Sequence, residues 1–189
     1  MRVRQVQFSK GSFYHLYNHS AKGELLFRDS QDYDMCLTLF SKYISKDFYE
    51  LGAYCLMPNH YHMLIRQLTT APVTEPFFQI WQRYSRYYNK KYAQFGSIFC
   101  EKLQHVWINN ELHLQALSAY IHLNPVKARL VTSPELWLYS DFLDWIGQRT
   151  SKLFNPALRD VYYRNSAEYQ DLIQYFSTAQ IEKRLLIDD

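Results

Sequence analysis

The sequence predicts an α+β fold: an antiparallel sheet with helices packed on it, followed by a helical C-terminal extension. Three observations lead there. Residues 13–19, 48–56 and 60–67 are short β-prone runs bounded by turn-forming residues. Between the first two, Tyr33, Cys36, Leu37, Phe40, Tyr43 and Ile44 recur at three- and four-residue intervals, which gives a helix one apolar face to lay on a sheet. Strand, helix, strand, strand is the opening of a split β-α-β, ferredoxin-like arrangement.

Each element has a local cause. Gly11-Ser12 precedes the first strand, on which His15, Tyr17 and His19 share a face because strand side chains alternate. One of these histidines could approach the His60/His62 pair across the sheet. Asp29-Ser30 starts the first helix, with Asp32 and Asp34 in the turn where the helix dipole favours negative charge. Pro58-Asn59 breaks residues 54–66 into two extended runs joined by a turn. Residues 69–76 read as a linker and 77–92 as a second helix. That helix carries Arg83, Arg86, Lys90 and Lys91 among Tyr84, Tyr87, Tyr88 and Tyr92. The mixture suits a helix that touches nucleic acid, and equally a solvated face whose rings turn inward. A turn at Phe95-Gly96-Ser97 leads to a strand over 98–108. Asn109-Asn110 caps a third helix with Glu111 in its first turn, and Pro125 should break or bend it near Asn124. A last helix, apolar at Tyr169, Leu172, Ile173, Phe176 and Ile181, spans about 166–186.

Composition narrows the classes. With 48% hydrophobic and 21% charged residues, the 189-residue chain can bury a full core. No apolar run reaches the roughly 18 residues of a membrane span, and Met1 to Gln7 lack the apolar stretch of a signal peptide. Cys36, Cys55 and Cys100 are odd in number and without C-x-x-C spacing, so a reducing compartment, the cytoplasm, is expected rather than a disulfide framework or a zinc ribbon. A net charge of +3 permits nucleic acid as a partner without requiring it. Aromatic residues at 17%, including 17 Tyr, suit base stacking as well as core filling.

Two motifs carry chemistry. His60 and His62 are two apart on a strand and project from one side, while Tyr61, Met63 and Ile65 point to the other. Two neighbouring imidazoles can hold a divalent cation and leave it open positions; a pair of structural histidines is the competing reading. Tyr120 and Asn124, four apart on the third helix, share a face. A phenol beside a cation can attack a phosphodiester, although with a pKa near ~10 it needs help from a neighbouring charge or base. Asn124 offers an amide oxygen as a third ligand, which suits Mg²⁺ or Mn²⁺ better than zinc. His122, two residues from Tyr120, faces elsewhere, and His105 and His113 read as surface residues.

Met57-Pro58-Asn59-His60-Tyr61-His62-Met63-Leu64, followed downstream by Tyr120-Ile121-His122-Leu123-Asn124-Pro125-Val126-Lys127, resembles the HUH-superfamily single-tyrosine transposases, in particular the REP-associated tyrosine transposases. The likeness runs from the first strand to about Ser140. It implies a ferredoxin-like catalytic domain over residues 1–150, with the helical extension over 151–189. It also implies His60, His62 and Asn124 as metal ligands for Mg²⁺ or Mn²⁺, and Tyr120 as nucleophile. The implied partner is single-stranded DNA with a hairpin, cut to leave a 5′-phosphotyrosine and a free 3′-OH. Arg83, Arg86, Lys90, Lys91, Lys127 and Arg129 are the expected DNA contacts. Trp137-Leu138-Tyr139-Ser140 departs from the family's W-x-S-S pattern, which touches DNA contacts more than chemistry. The alternatives are a hairpin-binding protein that no longer transposes and a replication-initiator-type nickase. Monomer and homodimer both stay open, and no membrane partner is expected.

Overall fold

A computed structural model describes residues 8–153 and 155–178. Residues 1–7 and the stretch of the expected last helix beyond 178, Ile181 included, lie outside the described residues. The elements are β1 (Phe13–His19), α1 (Ser30–Tyr43), β2 (Tyr49–Met57), β3 (His60–Gln67), α2 (Thr74–Tyr92), β4 (Gln104–Ile108), α3 (Glu111–Lys127), α4 (Phe142–Trp145), α5 (Pro156–Tyr162) and α6 (Ser166–Thr178). The sheet runs β2-β3-β1-β4 with every neighbouring pair antiparallel, which is the α+β, ferredoxin-like order expected from the sequence.

The sheet separates two apolar layers. Tyr14, Leu16, Tyr54, Leu56, Tyr61, Met63 and Ile65 face α1 and α2. Phe13, Ala53, Cys55, Met57 and Leu64 face α3 and the C-terminal helices. β2 keeps both Tyr49/Leu51 and Tyr54/Leu56 in the first layer because the pairing slips between Leu51 and Ala53. An extra residue there, Gly52, resets the alternation as a bulge does.

Local chemistry explains most boundaries. Asp29 accepts the backbone N–H of Asp32 while the Asp32 carboxylate reaches back to the N–H of Asp29, a reciprocal cap that starts α1 where the sequence places it. α2 begins at Thr74 rather than at residue 77, because Pro76 sits in the first turn, where its missing N–H costs nothing. The β4 strand is shorter than expected. Residues 98–103 form no ladder with the sheet: Phe99 bridges Ser20, the Cys100 N–H donates to the His19 carbonyl and the Asn18 amide donates to the Glu101 carbonyl. The expected break near Asn124 does not occur. α3 continues through Pro125 to Lys127, with the N–H of Ala128 still bonded to the Asn124 carbonyl at 2.9 Å. Pro125 lies in the last turn, and the N–H bonds of Ala128, Arg129 and Leu130 to the carbonyls of Asn124, Val126 and Pro125 close the helix after it.

The C-terminal helices pack against α3. Tyr163, Tyr169 and Ile173 are buried with Leu117, Ile121 and Trp145. Residues 139–141 run along β2, with the Leu56 N–H bonded to the Tyr139 carbonyl at 2.9 Å.

Candidate active site

The two-residue Pro58-Asn59 turn joins β2 to β3, with Met57 opposite His60. It is held from outside: the Pro58 carbonyl accepts N–H groups of Leu26 and Phe27, and the Asn59 carbonyl accepts that of Ser20. His60 and His62 follow at once, on a rigid strand. The β1/β3 register then places His19 directly opposite His60 and Tyr17 opposite His62. The ring centroids of His60 and His62 are 5.1 Å apart, and His19 stacks on His60 at 5.0 Å. From α3 above, the Tyr120 ring meets His62 edge-on with centroids 5.3 Å apart. The structure thus brings His60, His62, Tyr120 and Asn124 together at one end of the sheet.

Burial sets the electrostatics. His62 lies well below the ordinary histidine pKa, first through burial and then through His15, His60 and His19 around it. His60 is lowered to about 4 by burial and His19, against a hydrogen bond to the Asn124 amide oxygen that raises it. His15 is lowered to about 3 by burial and by nearby His113. These imidazoles are therefore neutral at pH 7, the form in which a ring nitrogen can ligate. Burial raises the Tyr120 phenol, as do Cys55 and Tyr17, while a hydrogen bond from Asn124 pulls it down. Asn124 thus works on both His60 and Tyr120.

The donor atoms fit a small divalent cation. The Nδ1–H of His60 donates to Oδ1 of Asn59 at 2.7 Å, which leaves the lone pair on Nε2. Nδ1 of His62 pairs with Nε2 of His15 at 3.0 Å, and again Nε2 is the remaining nitrogen. A second ring nitrogen held this way orients a metal-binding histidine. Among the described residues no three His, Cys, Asp or Glu side chains cluster closely enough to hold a metal, so a third protein donor would be of another kind, such as the Asn124 amide oxygen. Asn124 is 7% exposed, and its Nδ2 has no partner at full hydrogen-bond geometry. A buried N–H donor of this kind calls for an acceptor, and the Tyr120 oxygen lies in its direction, which leaves Oδ1 as the atom a cation could take. Two imidazole nitrogens and an amide oxygen suit Mg²⁺ or Mn²⁺.

His15 and Asn59 are absent from the sequence-derived site, although both touch its histidines. The signal for His15 was the His15/Tyr17/His19 alternation; its partner depended on register. His113 and His105 are half-buried rather than on the surface. His113 lies near His15, and His105 packs against Phe8 at 5.0 Å.

The basic residues divide. Lys127 ends α3 with Nζ 5.3 Å from the Tyr120 ring centroid. Arg129 follows, exposed, in a left-handed turn at φ 58°. Arg83, Arg86, Lys90 and Lys91 lie on α2, across the sheet from Tyr120. Lys91 is committed to Asp29 and Asp32 at 2.8 Å each, and Arg83 lies over Tyr43. Tyr84 and Tyr88 turn inward, their hydroxyls donating to the carbonyls of Leu26 and Leu25. A groove of about 1040 Å³ beside α2, lined by Phe78, Arg86, Phe99 and Lys102, also lies on that far side and does not include Tyr120.

A search among curated proteins found no match. A solved structure of a REP-associated tyrosine transposase bound to a REP hairpin superposes with a TM-score of 0.65, at 16% identity, over 82% of this chain and 94% of that one. At that identity the likeness shows the fold. The family model described as IS200-like transposase matches residues 11–124, more than half of the chain, from the start of the sheet to Asn124. With His60, His62, Tyr120 and Asn124 all inside the matched span, the chain belongs to the IS200-like transposase family.

Proposed function

We propose that this transposase cuts single-stranded DNA beside a hairpin, with Tyr120 as nucleophile and His60, His62 and Asn124 as ligands of Mg²⁺ or Mn²⁺. The observation that supports the proposal is the edge-on approach of the Tyr120 ring to His62, the partner of His60 on β3. That the fold neighbour is bound to a REP hairpin supports the choice of substrate. The Tyr120 oxygen attacks the scissile phosphorus and loses its proton, while the bond to the 3′ oxygen breaks. The products are a 5′-phosphotyrosine and a free 3′-OH, and the reverse attack by a 3′-OH rejoins strands without an energy source. A bound cation would supply charge stabilisation at the phosphate and ease loss of the phenol proton.

The chain's own residues prepare this step. Neutral His60 and His62 present Nε2, and His15 and Asn59 hold their rings. Asn124 hydrogen-bonds toward the Tyr120 oxygen and favours its ionised form. Lys127 and Arg129, beside Tyr120, are the DNA contacts nearest the cut. Arg86 and Lys90 would hold DNA on the α2 side. Lys91 and Arg83, already engaged, would contribute less.

The test is incubation with labelled single-stranded hairpin DNA and Mg²⁺ or Mn²⁺. A covalent adduct that is lost with EDTA and in Tyr120→Phe is expected. An adduct that persists in Tyr120→Phe reassigns the nucleophile. Tight hairpin binding unaffected by EDTA, with no cleavage, favours a binding protein instead.

A further inference from the structure

A buried polar chain, Asp141–His122–Tyr169, stands apart from the ligands and the nucleophile. Two of its three members lie beyond the residues matched by the family model. Oδ1 of Asp141 accepts the N–H of Tyr54 on β2 at 2.7 Å and the Nε2–H of His122 on α3 at 2.9 Å. Oδ2 accepts the indole N–H of Trp145 at 3.1 Å. Nδ1 of His122 pairs with the Tyr169 hydroxyl of α6 at 2.5 Å. His122 and Tyr169 are fully buried, and Asp141 is 1% exposed.

The directions of these bonds follow from the groups. A carboxylate only accepts, so the imidazole carries a proton on Nε2, and its Nδ1 shares the second hydrogen bond with the Tyr169 hydroxyl. The chain therefore ties β2, α3 and α6 at one point. Apolar neighbours such as Leu117, Ile121 and Ile173 hold α6 on α3 without fixing an angle, whereas hydrogen bonds weaken steeply when misaligned. His122 is two residues from Tyr120, so fixing its ring fixes the rotation of α3 about its axis. The direction of Tyr120 over His62 follows from that rotation.

We infer that Asp141 and Tyr169 are positioning residues for Tyr120, acting through His122, so that α6 belongs functionally to the active site. The inference rests on Tyr120 being the nucleophile. The experiment uses the full chain and hairpin DNA with Mn²⁺. It measures DNA affinity, thermal midpoint and the single-turnover rate of adduct formation for wild type, Tyr169→Phe, Asp141→Asn and Ile173→Val. Tyr169→Phe is expected to bind DNA within about twofold of wild type and to form adduct about tenfold more slowly, since small misplacement of a reacting group is expensive in rate. Ile173→Val, which loosens the same helix without touching a polar atom, should lower the thermal midpoint and leave the rate unchanged. A Tyr169→Phe rate equal to wild type overturns the inference, and so does an equal slowing in Ile173→Val. Asp141→Asn takes the place of Tyr169→Phe, with the same criteria, if the latter does not fold. Absence of adduct from wild type removes the nucleophile assignment itself, a failure separate from these.

Discussion

The two faces of the sheet are built on opposite terms. On the α1/α2 face the aromatic side chains close a core and their polar ends are largely provided for. The hydroxyls of Tyr49, Tyr84 and Tyr88 donate to carbonyls, and those of Tyr87 and Tyr92 to Asp32. On the α3 face, at the start of β3, stand neutral imidazoles, a half-buried phenol and an amide within reach of one another. Groups of that kind stabilise a fold poorly and catalyse well, because their remaining valence is aimed at something from outside. The comparison teaches a division of labour: one side of each strand supplies stability, and the other displays reactive groups on the rigid frame that results.

Adjacent residues on β3 offer the sharpest way to break this comparison. His62→Ala should cut adduct formation by about a thousandfold or more, the scale of losing the electrostatic stabilisation of a phosphoryl step, while shifting the urea midpoint modestly. Its neighbour Tyr61, stacked on Trp81 at 4.2 Å and fully buried, should behave in reverse. Tyr61→Ala is expected to cost about 3–5 kcal/mol in urea unfolding, the range for emptying an aromatic site. Equal effects of the two substitutions on both measurements would dissolve the distinction.

A smaller effect is expected at Asp32, which caps α1 and takes bonds from Lys91, Tyr92, Tyr87 and the N–H of Arg28. Burial works to raise its pKa, yet these bonds hold it below the ordinary 3.8. A carboxyl whose pKa is lower in the folded chain stabilises above the unfolded value and loses that contribution as pH falls through the folded one. Asp32→Asn should therefore cost about 1–3 kcal/mol at pH 7. The gap to wild type should close as pH falls below about 4, when unfolding is followed by circular dichroism. Smallest is Lys127→Gln: DNA affinity should weaken modestly, and the slope of log affinity against log salt should flatten by about one, as for loss of a single phosphate contact.

Much of the frame was legible because its causes are local. β1 and β3 begin and end where alternation and the Pro58-Asn59 turn place them, and α1 starts at its cap. The His60/His62 pair and the Tyr120/Asn124 pair each share a face through simple periodicity. Local rules ended α3 three residues early at Asn124, because a proline's cost falls on the turn before it, and that turn is held by the core it packs in. They left the tyrosines of α2 undecided between solvent and core, since either placement satisfies a helical repeat.

The sequence by itself determined which side chains ride together on one strand or one helix turn, because backbone geometry repeats over two to four residues. Only the tertiary structure decided which strand faces which. The antiparallel register set His19 against His60 and brought His15 to His62, 47 positions apart in the chain. Folding likewise laid α3 over that pair and joined His122 to Asp141 and Tyr169. Contacts between distant segments depend on the shared core they bury, and no window of neighbouring residues contains that information.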